Sequence, residues 1–190
     1  MSWIDIIPQP DVFFDFGVGM PNTESIHVKR KWPDIPIIGL EPHPKRFSKC
    51  ATGYPGTLLN AAVGETDCTV TMQHIDGMLV NFPRSHQRAG STIEMNCRSV
   101  DSLNKEYGPF HNAFIWADIE GAELLMLKGA QEMLKTGKIV GLYLEVWNIF
   151  QTEGWATKKE IEDFLRKYRF EQKKVVAMNQ HCGDIIFMKN

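Results

Sequence analysis

The fold is decided by residues 12–22, which read VFFDFGVGMPN. Apolar residues interrupted only by Asp15 are typical of a strand that is buried on both faces of a parallel sheet. Gly17 and Gly19 then allow a sharp turn and a close approach of the backbone to a ligand. Strand, glycine turn and helix N-terminus follow in the order that α/β proteins use to bind nucleotide-like ligands, although an ordinary tight turn has the same sequence features.

Length and composition indicate one globular domain. The chain has 190 residues, of which 43% are hydrophobic and 23% are charged, and these values fit a folded protein with a substantial core. A net charge of −2 disfavours a nucleic-acid partner. The sequence shows no secretory signal, no stretch near the roughly 20 apolar residues that span a bilayer, and no CxxC pair. We therefore expect a cytoplasmic protein without a membrane partner, a disulfide framework or a zinc site.

Apolar runs alternate with segments of helical composition along most of the chain. Strands are predicted at 11–16, 37–40, 57–60, 113–117 and 139–144, with a closing hairpin at 170–178 and 184–188. The alternation predicts an α/β fold with a doubly wound, mostly parallel sheet and right-handed crossovers, formed by a single domain over residues 1–190. Residues 122–136 are expected to form one long helix, and Thr157 with Glu160 is a candidate capping box for another.

The segment between the third and fourth core strands differs from the rest. Residues 68–74 alternate in polarity and 92–98 fit a strand that returns antiparallel, so we interpret about 65–98 as an insertion or lid. We expect the loop at 76–96 to form part of an acceptor pocket. Its polar residues suit a polar or anionic acceptor, although a solvated loop explains them equally well: Arg84, His86, Gln87 and Arg88.

Four acidic residues fall at or near the ends of predicted buried strands, namely Asp15, Glu41, Asp118 and Glu145. In an open α/β sheet, the carboxyl ends of the strands form the ligand crevice. A buried carboxylate is costly unless it has a partner. Each residue alone fits a turn or a helix cap, but together they predict a groove for a ligand.

Glu41 follows the second strand, where a carboxylate can accept hydrogen bonds from the hydroxyls of a ribose. Both nicotinamide dinucleotides and S-adenosylmethionine carry such a ribose. The third glycine of the dinucleotide fingerprint is missing, because Gly19 is followed by MPN. Asp15 lies before the glycine turn, where it suits a cationic amine better than a phosphate. These features favour S-adenosylmethionine and leave a nicotinamide-dependent oxidoreductase as the alternative.

A second acidic segment, DIEGAE at residues 118–123, marks the passage from a strand into a helix. Gly121 permits the turn, and Glu120 and Glu123 fit the first turn of a helix, whose N-terminus favours negative charge. Asp118 is explained less well in this way, because it ends a buried strand.

The order of these motifs resembles that of the FkbM-type methyltransferases, a class I family that uses S-adenosylmethionine. The resemblance is carried by Phe13–Asn22, Gly39–Pro44, Leu59–Gly64, Arg98–Leu103, Asp118–Glu123 and Leu144–Val146. It implies a seven-stranded, Rossmann-like sheet whose last strand is antiparallel. It also implies that the first motif holds the methionine part of the cofactor, Glu41 the ribose and the turn after Asn60 the adenine. The implied cofactor-binding residues are Asp15, Gly17, Gly19, Glu41, Pro42, Asn60, Ala61 and Asp118.

The sequence departs from the family pattern at three positions. Gly19 stands where the family usually has Asn, Pro21 where it has Gly, and Trp116 where it often has Lys. Trp116 fits core packing better than a wall of the acceptor site. The departures keep open a non-catalytic cofactor-binding module of the same fold.

The resulting prediction is an S-adenosylmethionine-dependent O-methyltransferase that acts on a small molecule or a sugar. A hydroxyl acceptor needs proton removal or a metal to become a good nucleophile. Asp118 and Glu145 are the catalytic candidates, because they end neighbouring strands. A divalent cation bound through them is the less favoured alternative, and no metal ligand is assigned. The sequence gives neither the acceptor nor the oligomeric state.

Overall fold

A computed structural model of the chain describes residues 2–19, 23–75, 78–80, 91–148 and 155–190. The strands are β1 (Val12–Phe16), β2 (Ile37–Leu40), β3 (Thr57–Leu59), β4 (Ala62–Val63), β5 (Cys68–Ile75), β6 (Met78–Val80), β7 (Thr92–Arg98), β8 (Ala113–Ala117), β9 (Ile139–Trp147), β10 (Phe170–Met178) and β11 (Cys182–Lys189). The helices are α1 (Thr23–Lys31), α2 (Pro44–Ala51), α3 (Val100–Tyr107), α4 (Glu123–Lys128), α5 (Gln131–Lys135) and α6 (Lys158–Arg166), with a 3₁₀ turn at Trp3–Asp5. None of the helices described is long and apolar enough to cross a membrane.

Seven strands form the main sheet, in the order β10-β11-β9-β8-β1-β2-β3. Strand β1 pairs in parallel with both β2 and β8, and β8 pairs in parallel with β9. Strand β11 is the last in the chain, and it lies between β9 and β10 and runs antiparallel to both. The predicted doubly wound, mostly parallel sheet with an antiparallel last strand is therefore confirmed.

Helices cover both faces of this sheet, because the strands alternate large apolar side chains between the two faces. In β1, Phe14 and Phe16 belong to the core beneath α3, α4, α5 and α6. Phe13 belongs to the opposite core, where Val28 of α1 and Ile4 of the 3₁₀ turn pack. The central strand is thus buried on both sides, as its apolar run predicts.

Helix starts follow the local capping residues. At α6, the Thr157 hydroxyl accepts from the Glu160 amide at 3.3 Å, and Glu160 Oε2 accepts from the Thr157 amide at 2.8 Å. This reciprocal pair is the predicted capping box. At α2, His43 Nδ1 accepts from the Lys45 amide at 3.1 Å and Pro44 occupies the first helical position. The start of α2, close to Glu41, is therefore determined by two local residues, the capping His43 and Pro44.

The single helix predicted over 122–136 is wrong, because the structure divides it into α4 and α5. The break lies at Gly129, whose carbonyl accepts from the Asp101 amide at 2.9 Å. A Cβ atom on Gly129 would lie 2.1 Å from the Gly64 carbonyl oxygen, so the backbones meet closely here. The regular helical hydrogen bonds are interrupted at Gly129, where the backbone packs against the segments that contain Gly64 and Asp101.

A second sheet of four strands, in the order β4-β7-β5-β6, is built by the segment between β3 and α3. Strands β5 and β7 pair antiparallel, as expected from the sequence. Strand β6 pairs with β5 where an irregular loop had been expected, because residues 78–80 extend the hairpin. The lid interpretation of this insertion stays a prediction, and Arg84, His86, Gln87 and Arg88 lie outside the described residues.

Candidate active site

A cavity of about 310 Å³ opens at the carboxyl ends of β1, β2 and β8. Parallel strands place these ends at one edge of the sheet, where ligands bind in open α/β folds. Strands β4, β5 and β7 of the second sheet form the other wall. Six of the predicted site residues line the cavity: Gly17, Gly19, Glu41, Pro42, Ala61 and Asp118. Two of the four acidic residues at the predicted strand ends, Glu41 and Asp118, are thus among the lining residues.

The glycine turn after β1 is held by the strands on both sides. Gly17 has a φ of +82°, and a Cβ atom there would lie 2.0 Å from the Asp118 carbonyl oxygen. Only glycine tolerates both the backbone conformation and the close contact. The amides of Gly17 and Val18 donate to the Leu40 carbonyl at 3.0 and 3.3 Å. These two amides are therefore engaged within the protein and do not face a ligand.

Glu41 follows β2 and lines the cavity although the residue is only 3% exposed. Its Oε1 atom accepts a hydrogen bond from the His43 amide at 2.7 Å. Burial raises the pKa of the carboxyl group to about 7, against the opposing effects of this hydrogen bond and of Arg46. Among the described residues, no other hydrogen bond engages the side chain, so it can accept hydrogen bonds from a ligand.

Asn60 supports this corner of the cavity from outside. Its side-chain amide donates to the carbonyl oxygens of Glu41 and Pro42, both at 2.9 Å. The following residue, Ala61, is the one that lines the cavity. In the turn predicted to hold the adenine, Asn60 therefore positions the loop that carries Glu41. Ala61 lines the cavity with a small side chain that leaves room for a ligand.

Asp118 comes directly after β8 and its side chain is accessible from the cavity. In the described part of the chain, no hydrogen bond or ion pair engages this carboxylate. Surrounding protein atoms partly desolvate the carboxylate, and together with the charges of Glu120 and Asp184 they raise its pKa above its usual range. An anionic oxygen in these surroundings attracts a cation or a proton.

A tight turn holds Asp118 in place. Glu120 and Gly121 both have positive φ, at 54° and 91°. A Cβ atom on Gly121 would lie 2.3 Å from the ring of Trp155, which is 2% exposed. Sequence analysis missed Trp155, because its contact joins segments that are far apart in the chain and no local motif signals it.

Glu123 closes the same turn and begins α4, as its acidic character in a first helical turn predicts. Its Oε1 atom accepts from the Ile119 amide at 3.2 Å. The residue is 2% exposed, and this burial raises its pKa to about 8. The Glu123 side chain therefore stabilises the turn from the protein interior and does not line the cavity.

Glu145 is the second catalytic candidate, and the structure places it beside the cavity rather than in its lining. It lies in β9 opposite Asp184 of β11. Burial and then the charge of Asp118 raise its pKa to about 7. Glu145 is therefore electrostatically coupled to Asp118 without lining the same cavity.

Asp15 does not reach the cavity. Its carboxylate lies on the α1 side of the sheet, where it accepts hydrogen bonds from the Ser25 hydroxyl and, at 3.2 Å, from the Tyr54 hydroxyl. Burial raises its pKa to about 7. A Cβ atom on Gly39 would lie 2.2 Å from the Tyr54 oxygen, so this glycine makes room for the cluster. Asp15 therefore links β1 to α1 and to Tyr54 from inside the protein.

Two further side chains bear on the predicted site. Trp116 stacks on Tyr143 with ring centroids 3.5 Å apart and packs against the core on the α1 face. This placement fits the interpretation as core packing. Arg46 of α2 lines the cavity, and sequence analysis missed it. Its position in the first turn of α2, five residues after Glu41, was the signal that could have indicated it.

No group of three or more His, Cys, Asp or Glu side chains is arranged to hold a metal ion in the described parts of the chain. Among the described residues, His43 and His74 form a pair whose Nε2 atoms are 2.9 Å apart. His43 Nδ1 accepts from the Lys45 amide. The Nε2 atom of His43 must therefore carry the proton and donate to His74, which leaves it no lone pair for a metal.

Comparisons with known proteins identify the family to which the chain is similar. A model of the methyltransferase FkbM domain matches residues 17–171. Among solved structures, magnesium protoporphyrin IX methyltransferase from Synechocystis PCC 6803 with bound SAM is 8% identical, with a TM-score of 0.47, over 94% of this chain and 69% of that chain. A SAM-dependent methyltransferase from Aquifex aeolicus is 12% identical, with a TM-score of 0.46, over 93% of this chain and 81% of that chain. No curated protein gives a significant match.

Proposed function

The chain belongs to the FkbM methyltransferase family, and we propose that it transfers a methyl group from S-adenosylmethionine to a hydroxyl of a small molecule or sugar. When bound, S-adenosylmethionine supplies an electrophilic methyl group on a cationic sulfur. The observation that carries the proposal is the meeting of Gly17, Glu41 and Asp118 around one cavity. The site assignments that follow are part of the proposal.

The residues around the cavity suit an adenosyl group. The buried carboxylate of Glu41 has acceptor capacity for the two hydroxyls of a ribose. Apolar side chains beside it provide surfaces on which a flat base can pack. They include Leu40, Val63, Ile119 and Leu125.

The electrostatics favour S-adenosylmethionine over a nicotinamide dinucleotide. A pyrophosphate needs amide donors from the glycine turn, and the Gly17 and Val18 amides already donate to Leu40. A pyrophosphate would also bring two negative charges close to Glu41 and Asp118. A sulfonium and an ammonium are instead attracted by these carboxylates.

Asp118 is our candidate for the group that contacts the reacting atoms. It is accessible from the cavity and its pKa is raised towards neutrality, so it can accept a proton from an acceptor hydroxyl near neutral pH. Glu145 lies outside the cavity lining, and it is coupled to Asp118, whose charge raises the pKa of Glu145. We assign Glu145 a positioning role and Asp118 the direct one.

Calorimetry with S-adenosylhomocysteine tests the cofactor assignment. We expect the wild-type protein to bind it with micromolar affinity. Glu41→Gln should weaken binding about tenfold or more, because hydrogen bonds to a charged carboxylate are lost. Glu94→Gln is the matched control, since Glu94 is exposed on β7 and does not line the cavity. Failure of the wild type to bind would contradict the proposed function.

A second experiment separates this proposal from its alternatives. Thermal unfolding with S-adenosylhomocysteine and with NAD should show stabilisation by the first ligand only. Turnover is then followed as S-adenosylhomocysteine release across a panel of sugars and hydroxylated small molecules. Asp118→Asn should abolish turnover with an acceptor that the wild type uses. Product from this variant at the wild-type rate would rule out Asp118 as the base.

A further inference from the structure

We infer that Arg46 binds the carboxylate of the methionine part of the cofactor and thereby selects ligands that carry a complete amino-acid group. The inference rests on the proposed function, and it assigns a residue that neither the motifs nor the family resemblance indicates. Arg46 lies in α2, lines the cavity and is half-buried.

The position of Cys50 shows where the Arg46 side chain points. Residues four apart lie on the same face of a helix, so Arg46 and Cys50 share a face of α2. The Cys50 thiol lies 3.6 Å from the Val18 carbonyl oxygen and 3.9 Å from that of Gly19. This face of α2 therefore packs on the glycine turn. Side chains of a helix lean towards its N-terminus, and the charge of Arg46 acts on both Glu41 and Asp118, so the guanidinium extends from this face over the cavity.

Arg46 also stands out by its charge. It is the one basic side chain among the described residues that line the cavity, and the acidic ones are Glu41, Glu65, Asp118 and Glu120. Its charge partly opposes the rise in the pKa values of Glu41 and Asp118. Within the described ranges, however, no hydrogen bond or ion pair engages the guanidinium. A half-buried guanidinium with five unused donors is ready to bind an anion.

The charges of the ligand identify that anion. S-adenosylmethionine carries a sulfonium, an ammonium and one carboxylate. The acidic residues of the cavity match the two cationic groups, which leaves the carboxylate without a partner. The glycine turn does not provide one, because its Gly17 and Val18 amides are engaged with Leu40. A guanidinium can donate two parallel hydrogen bonds to a carboxylate, and Arg46 lies on the helix face that packs on the glycine turn, where we propose that the methionine part binds.

The test compares three ligands that share the same nucleoside. S-adenosylhomocysteine has the full amino-acid group, S-adenosyl-3-thiopropylamine keeps the amine but lacks the carboxylate, and 5′-methylthioadenosine lacks both. Calorimetry is carried out on the wild type, Arg46→Gln and Arg46→Lys. Lys45→Gln is the control, because it removes the same charge from the exposed neighbouring position.

We expect Arg46→Gln to weaken S-adenosylhomocysteine binding about 10- to 100-fold, the range for a charge-assisted hydrogen-bonded pair. Its affinities for the other two ligands should stay within about twofold of the wild type. Arg46→Lys should lose less, since it keeps the charge without the bidentate geometry. Lys45→Gln should change none of the affinities. Retained binding of 5′-methylthioadenosine also shows that the variant is folded.

Two results would overturn the inference. Equal weakening of all three ligands would show that Arg46 contacts the nucleoside, and unchanged S-adenosylhomocysteine binding in Arg46→Gln would show that it contacts nothing important. Either result leaves the proposed function intact, because the wild type still binds. If the wild type binds none of the three ligands, the proposed function fails and this inference fails with it.

Discussion

Strands β1 and β8 lie side by side, and each has a carboxylate near its carboxyl end, but the two carboxylates differ in their surroundings. Asp15 pairs in register with Trp116, two residues before Asp118. Asp15 is 3% exposed and accepts hydrogen bonds from two hydroxyls. Asp118 is accessible from the cavity, and no hydrogen bond within the described residues satisfies it.

The difference follows from where each residue stands relative to the end of its strand. Asp15 lies inside β1, so the two-residue alternation places it on the same face as Phe13, against α1. Asp118 lies one residue beyond β8, where the chain leaves the sheet and its side chain can face the crevice. An acidic residue at a strand end is therefore a candidate for ligand binding only when it lies past the last paired residue.

The largest effect on stability is expected at Gly17, where the end of β1 contacts the end of β8. Gly17→Ala forces an alanine into positive φ and places its Cβ 2.0 Å from the Asp118 carbonyl oxygen. We expect a loss of about 3 kcal/mol or more in the free energy of unfolding and loss of S-adenosylhomocysteine binding. Denaturant unfolding and calorimetry measure the two quantities.

Gly53→Ala is the matched control for this variant. Gly53 has a φ of +85°, close to that of Gly17, but a Cβ atom there would meet nothing within 4 Å. Its cost should be about 1 kcal/mol, from backbone strain alone. Equal costs at the two glycines would show that the contact between the strand ends contributes nothing.

Alanine substitution of Asp15 and of Asp118 should distinguish a residue that stabilises the fold from one that acts in the cavity. Asp15→Ala removes the carboxylate that accepts from Ser25 and Tyr54 and leaves their hydroxyls only the 3.0 Å contact with each other, so we expect a loss of about 2–3 kcal/mol in stability. Asp118→Ala removes an unsatisfied carboxylate, so stability should change by less than about 1 kcal/mol, while turnover is lost. Urea unfolding and product release measure the two effects. If Asp15→Ala instead lost turnover at unchanged stability and Asp118→Ala lost stability, the roles proposed for the two residues would be wrong.

The sequence was sufficient for most of the fold. The apolar runs at 12–16, 37–40, 113–117 and 139–144 predict buried parallel strands, because no other common element combines short length with continuous apolar character. The capping box of α6 is also a local signal. The break between α4 and α5 could not be read in this way, because it depends on Gly129 meeting Gly64, a contact between distant segments.

The candidate site was predicted less completely, for the same reason. Glu41 and Asp118 follow directly from strand ends, and both line the cavity. The hydroxyl partners of Asp15 come from α1 and from the segment after α2, and no spacing rule indicates them. Arg46 and Trp155 were missed because their importance depends on what they face across the fold, not on their neighbours in sequence.

The pH dependence of stability should reflect the buried set of carboxylates. Burial raises the pKa to about 7 for Asp15, Glu41 and Glu145 and to about 8 for Glu123. Between the unfolded and folded pKa values, the native state binds more protons, so the free energy of unfolding falls as pH rises. His43 has a lowered pKa and acts in the opposite direction, but it is outnumbered by the carboxyl groups with raised pKa values, which also include Asp118 and Asp184.

We therefore expect the ligand-free protein to have a higher Tm at pH 5.5 than at pH 8.5. Calorimetric scans across this window measure the slope. Asp15→Asn mimics the protonated group and should flatten the slope, whereas Asp163→Asn, at a carboxyl group whose pKa is lowered by Lys159, should leave it unchanged within the window. A Tm that rises steadily from pH 5.5 to 8.5 would show that these carboxylates are satisfied as anions.

The smallest expected effect concerns a single donor to Asp15. Tyr54→Phe removes the hydroxyl that donates to Asp15 at 3.2 Å and lies 3.0 Å from the Ser25 hydroxyl, while it keeps the ring. We expect a loss of about 0.5–1.5 kcal/mol in stability, because the remaining Ser25 hydrogen bond partly satisfies the carboxylate. Tyr107→Phe on α3 is the control. S-adenosylhomocysteine affinity should stay unchanged, because Asp15 and Tyr54 do not line the cavity. A tenfold loss of affinity at unchanged stability would mean that the Asp15 cluster touches the ligand directly, and the contrast with Asp118 would then disappear.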